Sequence, residues 1–151
     1  MKKLFITIAM ASAAIAADAA TPLWLRDVKI SPDGSEIAFT YKGDIYKVPT
    51  GGGKATRLTT VAAYDAEPVW SPDGKTIAFQ SDRNGSLDLY VMPANGGKAT
   101  RLTSFSGRET PEAFTPDGKY VLFSAVIQDP VKSAAFPSAR LSELYKVPVT
   151  G

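Results

Sequence analysis

The chain has 151 residues, of which 44% are hydrophobic and 21% charged, with a formal net charge of +2. So mild a balance exerts no strong pull on nucleic acid or on an anionic membrane. There is no Cys, so the fold holds without disulfides, and there is no His, which removes the usual general base and the commonest metal ligand.

The first nineteen residues read as a secretory signal peptide. Lys2 and Lys3 form a positive start, Leu4 to Ala17 is an apolar run, and small-residue cleavage patterns follow at "AIA" and "ADA". Asp18 ends the run short of the ~20 apolar residues that span a bilayer. No other segment is apolar enough to cross, so no membrane insertion is expected after cleavage. Removing Lys2, Lys3 and Asp18 leaves a nearly neutral chain. The expected destination is the periplasm.

From there the sequence repeats itself. "VKISPDGSEIAF" from Val28 returns as "PVWSPDGKTIAF" from Pro68 and as "EAFTPDGKYVLF" from Glu112. Ser31 to Ser71 is 40 residues and Ser71 to Thr115 is 44. "GGGKATRLT" (51–59) returns as "NGGKATRLT" (95–103), and "DIYKVP" (44–49) returns as "DLYVMP" (88–93) and "ELYKVP" (143–148). Three motifs in one order at one period define a repeat architecture.

Within the second copy, "PVW" is predicted as a short strand. "SPDG" has Pro second and Gly fourth, as a type I turn prefers. "TIAFQS" is a second strand, "RNG" supplies a hairpin turn and "LDLYVMP" alternates as a third. "KATRLT" is the predicted fourth strand. Four short antiparallel strands every 40–44 residues give an all-β fold, a β-propeller of four-stranded blades. About three blades are expected, near 24–59, 64–103 and 108–151. The third lacks its fourth strand, because "KVPVTG" ends the sequence where the others run into "KATRLT".

Thr59 to Ser71 and Thr103 to Thr115 are both 12 residues, so the link between blades is constant. The variable length falls between the second and third strands. It is greatest in the third copy, at "VIQDPVKSAAFPSARLSE", which reads either as a tolerated surface insertion or as a functional loop. An open arc of blades leaves two faces uncovered. The chain therefore needs further blades or self-association to cover them.

The motifs P-x-W-S-P-D-G-K-x-I-A-F, D-L-Y-V-M-P and G-G-x-x-x-R-L-T resemble the TolB-type propeller repeat, related to WD-type repeats, throughout Val28 to Gly151. The start "TPLWLRDVKISPDGSEIAFTYKGDIYKVPTGGGKATRLTT" and the long third hairpin are most similar to the N-terminal propeller of secreted tricorn-type serine peptidases of the C-terminal-processing class. That resemblance implies the N-terminal part of a larger, six-bladed propeller in a periplasmic peptidase. Its blades would guide peptide substrates to a catalytic domain outside this sequence. A Tol-Pal-like protein-binding scaffold and the accessory propeller of another hydrolase are the alternatives the resemblance leaves open.

No catalytic constellation is expected in the chain itself. A Ser-His-Asp triad needs His, a zinc set needs His or Cys, and "TGGGKAT" lacks the Walker spacing and recurs as a blade turn. No cofactor is implied. Asp33, Asp73 and Asp117 are explained by their turns. Asp44, Asp88 and Glu143 suggest a hydrogen bond within each blade. The Phe39/Tyr46, Phe79/Tyr90 and Phe123/Tyr145 sets suggest packing between blades. Lys54, Arg57, Lys98 and Arg101 read as charges on an exposed outer edge, which oppose aggregation.

The positions that do not repeat are "YDAEP" (64–68) and "GRETPE" (107–112), read as loops just before the first strands. Asp65, Glu67, Arg108, Glu109 and Glu112 either belong to solvated loops or line a channel mouth and touch a peptide. Peptides or proteins, not nucleic acid, are the expected partners.

Overall fold

Each Ser/Thr-Pro-Asp-Gly turn closes a hairpin. The Gly amide donates back to the first residue of the turn, Gly34 to Ser31, Gly74 to Ser71 and Gly118 to Thr115, at 2.8–2.9 Å. The glycines sit at φ of 69–75°, where a Cβ is strained. The Asp carboxylate then locks the turn. Asp33 Oδ1 accepts from the Ser31 hydroxyl and the Ser35 amide, and Asp73 and Asp117 do the same in their copies. These bonds stabilise the anion, holding Asp33 down to about 2 and lowering Asp73 and Asp117 likewise.

The computed structural model describes residues 24–126 and 142–151. The expected signal peptide and most of the long third hairpin lie outside the described residues. Eleven strands are described: β1 Leu25–Ile30, β2 Glu36–Tyr41, β3 Asp44–Pro49, β4 Thr56–Arg57, β5 Asp65–Trp70, β6 Thr76–Ser81, β7 Asp88–Pro93, β8 Thr100–Arg101, β9 Glu109–Phe114, β10 Tyr120–Ala125 and β11 Glu143–Pro148. They form two four-stranded sheets, β1-β2-β3-β4 and β5-β6-β7-β8, and a three-stranded sheet, β9-β10-β11. All pairings are antiparallel. This is the all-β arrangement of successive propeller blades.

The strand lengths differ from expectation at both ends of the blade. The fourth strands pair over only two residues, each after a turn with two glycines at positive φ. The first strands are longer. β5 runs back through "DAEP", which was expected to be loop, and β9 likewise begins at Glu109. Pro68 disguises the strand, since proline cannot donate to a ladder. The structure accommodates it with a bulge, in which Glu67 and Pro68 together face one residue of β6.

Register divides each blade into two faces. Ile77, Phe79, Tyr90 and Met92 pack back onto Ala38, Ile45 and Leu58 of the first blade, with Trp70 beside them. Ala78, Val69 and Leu89 pack forward onto Phe114, Val121 and Phe123 of the third. The Phe–Tyr pairs meet across the second and third strands with centroids 5.6–5.8 Å apart, the first two stacked and the third tilted. The second and third pairs fill blade junctions, as expected from the repeat. Phe39 and Tyr46 occupy the corresponding face of the first blade, which no described blade covers.

Candidate functional site on the first strands

The first strand of each blade packs against the first strand of its neighbour, so β1, β5 and β9 form one continuous row. All five residues singled out in the sequence fall on this row or at its entrance. Two of them, Asp65 and Glu109, are buried at the junctions, although Asp65 Oδ2 has no hydrogen-bond partner there. Asp65 is completely buried and pairs with Arg83 at 2.9 Å. The Arg83 guanidinium also lies over the rings of Phe79 and Tyr90, at 5.3 and 4.6 Å from their centroids. Glu109 is buried and accepts a hydrogen bond from the Thr103 hydroxyl of the preceding blade. Burial holds its carboxyl above the ordinary range, the Asp88 anion adds to this, and the Thr103 bond opposes it.

The other three are accessible. Glu67 is half-buried at the β5 bulge, Arg108 is exposed and reaches Glu67 at 3.7 Å, and the exposed Glu112 accepts from the Ser124 hydroxyl at 2.7 Å. Partial burial pushes the Glu67 carboxyl up, and Asp27 raises it further, while Arg108 and Lys29 pull it down. Asp27 and Lys29 thus belong to the same charged row, and the Glu67 amide donates to Asp27 at 3.4 Å. Sequence reading missed both. The signal was present, because Asp27 and Glu67 each stand four residues before the Ser of their turn.

The equivalence extends to the backbone. Asp27 and Glu67 adopt the left-handed conformation, at φ 53° and 54°, which a residue with a Cβ rarely occupies. The third copy has Pro111 at this position, and proline's ring fixes φ near −65°. β9 forms its bulge with Pro111 and Glu112 instead, so the third blade presents its carboxylate one residue later.

The outer-strand arginines do not sit as free edge charges. Arg57 lies opposite Tyr46 on β3 and so stands beside Asp44, two residues along the same face, which it pairs at 2.7 Å. Arg101 pairs Asp88 at 2.6 Å in the same way. The expected within-blade bond of Asp44 and Asp88 is thus made to the arginine that was assigned to the edge. Lys54 and Lys98 remain exposed. Among the described residues, no group of acidic side chains is arranged to hold a metal, and no helix is long and apolar enough to cross a membrane.

Known proteins share this architecture. The tricorn protease homolog 1 of Streptomyces coelicolor is 36% identical over 67 residues, 44% of this chain and 6% of that protein. The uncharacterized peptidase YuxL of Bacillus subtilis is 41% identical over 56 residues, 34% of this chain and 8% of that protein. The chain thus spans less than a tenth of the length of either. Among solved structures, the putative TolB from Agrobacterium tumefaciens superposes with a TM-score of 0.60 at 28% identity, over 68% of this chain and 38% of that one. The model of the tricorn protease N-terminal beta propeller domain matches residues 22–151, nearly the whole sequence. The chain belongs to the tricorn N-terminal β-propeller family.

Proposed function

We propose that this chain is a non-catalytic propeller segment of an exported, periplasmic tricorn-like serine peptidase, and that the first-strand row contacts peptide substrates on their way to a separate catalytic domain. The observation that carries this reading is the cluster of accessible charges on the row. Asp27, Lys29, Glu67, Arg108 and Glu112 gather where the inner strands meet, and the one ion pair between Glu67 and Arg108 is long at 3.7 Å. A peptide with its own charges competes easily for groups so loosely paired. Asp65 and Glu109 serve the reading indirectly, by fixing the strands that carry the accessible groups.

The test is binding of charged peptides to the full chain by titration calorimetry. Glu67→Gln or Arg108→Met is expected to weaken it by up to about fivefold, the worth of an exposed charge pair. Unchanged affinity in both variants would remove the row from the binding surface. The TolB likeness supports a second reading, a scaffold that binds folded proteins rather than peptides. Pull-down of a folded partner without measurable peptide binding would favour that one. Cell fractionation tests the location, with the chain expected in the periplasmic extract.

A further inference from the structure

The β6–β7 hairpin carries residues that the repeat does not need. In the first blade two residues, Lys42 and Gly43, join β2 to β3, whereas six, Asp82 to Leu87, join β6 to β7. The longer hairpin contains Asn84-Gly85-Ser86, an Asn followed two residues later by a hydroxyl, with no proline between. That is the acceptor motif for N-linked glycosylation, which belongs on a surface loop of an exported chain. Asn95 also precedes a Gly, but Gly97 follows where the motif needs a hydroxyl. The base of the β6–β7 hairpin is fixed. The Tyr64 amide donates to the Asp82 carboxylate at 2.7 Å, and the Gly85 amide to the Asp82 carbonyl at 2.8 Å. Beyond that base Asn84 and Gly85 are exposed. Apart from its chain neighbours, no atom lies within 4 Å of where a Cβ on Gly85 would stand, so the tip is open to approach. Asn84 Oδ1 accepts from the hydroxyl of buried Tyr90 at 2.8 Å, which anchors the carboxamide by its oxygen. Its nitrogen Nδ2, the atom that takes a sugar, has no partner among the described residues.

We propose that Asn84, on the folded hairpin, is an acceptor for N-linked glycosylation, with an oligosaccharide on a polyprenyl diphosphate as donor. Nδ2 bonds to C1 of the first sugar while the bond from C1 to the diphosphate oxygen breaks. The polyprenyl diphosphate leaves, and the amide proton passes to a base of the membrane transferase. The inference rests on the export proposed above, because the transfer takes place on the outer side of the inner membrane. It is independent of what the first-strand row binds.

The test incubates the purified, folded full chain with a purified bacterial oligosaccharyltransferase and its polyprenyl-diphosphate oligosaccharide, and reads intact mass and peptide fragment spectra. The parent is expected to gain the mass of one oligosaccharide, located on Asn84. Asn84→Gln and Ser86→Ala are expected to abolish the gain, whereas Ser86→Thr and Asn95→Gln keep it. Ser86 also donates to Asp88 at 2.9 Å, so the conservative Ser86→Thr separates loss of the motif from loss of the hairpin. A parent that stays bare would overturn the proposal. So would a chain modified only after unfolding in urea, or a gain that survives Asn84→Gln. Fractionation of cells reports on export separately. A cytosolic chain that the purified transferase still modifies counts against export and leaves Asn84 an acceptor. A periplasmic chain that the transferase leaves bare counts against Asn84 alone.

Discussion

The two junctions are built from the same repeat positions yet wired differently. At the first, the Thr59 hydroxyl donates to Asp44 of its own blade, and Asp65 across the junction is paired by Arg83. At the second, the equivalent Thr103 hydroxyl donates across the junction to Glu109. In both, the threonine oxygen also accepts a backbone amide from the third strand, Ile45 in one and Leu89 in the other. The acids differ by one methylene, and the sequence also differs beside them, with Arg83 two residues past Ser81 where the third copy has Ile127 two residues past Ala125. The Asp65 carboxylate is drawn to Arg83, whereas the longer Glu109 side chain reaches the neighbouring blade. The first junction is crossed by side-chain bonds nearer its surface, Lys47 to Asn95 at 2.9 Å and Trp70 Nε1 to the Lys29 carbonyl at 3.1 Å, while its buried charged pair stays internal to one blade. In the second, the buried carboxylate itself is bonded across the junction.

The largest effect is expected from breaking the charged pair of the first junction. Arg83→Met leaves the Asp65 carboxylate buried without its partner, which costs about 3–5 kcal/mol in urea unfolding. The double variant with Asp65→Asn removes the stranded charge and is expected to recover most of that loss. If the double variant is no better than the single one, the cost lies in the guanidinium's stacking on Phe79 and Tyr90 instead.

A smaller effect separates the junctions directly. Thr103→Ala takes a donor from a buried carboxylate and is expected to cost about 1–3 kcal/mol. Thr59→Ala removes the same backbone acceptor, but Asp44 keeps its bond to Arg57, so a cost of about 1 kcal/mol is expected. Equal losses in thermal unfolding would mean that the bond across the second junction adds nothing.

Most of the architecture was legible in the sequence because the repeat supplied three readings of each element. The Pro-Asp-Gly turn and the role of Asp33, Asp73 and Asp117 follow from chemistry local to a few residues, and the Phe–Tyr pairs from their recurrence in each copy. What was not legible depends on neighbours in space. Pro68 and Pro111 made the start of β5 and β9 look like loop, although a bulge gives proline a place where the ladder needs no donor. That reading left Asp65 and Glu109 in a solvated loop or at a channel mouth, whereas both are buried at the junctions. Arg57 and Arg101 looked like edge charges because the carboxylates they pair with are 13 residues away along the chain. Asp27 was overlooked because the search was for positions that differ between blades, and it matters by repeating Glu67.

The smallest expected effect concerns the protonation of Glu109. Its folded pKa lies above the ordinary value of 4.5, chiefly through burial, so folding favours the protonated form. A carboxyl raised in this way contributes stability that is present in full below its unfolded pKa. That contribution is lost as pH rises through the folded value. Glu109→Gln keeps a side-chain oxygen for the Thr103 hydroxyl but cannot ionise. The stability of the parent relative to this variant is therefore expected to be greatest below about pH 4.5 and to fall as pH rises above it, levelling once the carboxyl is fully ionised. Urea titrations of both proteins from acid to neutral pH measure the difference. A difference that grows with pH would mean that the Thr103 bond and the nearby Arg101 outweigh burial, and that the second junction prefers the anion.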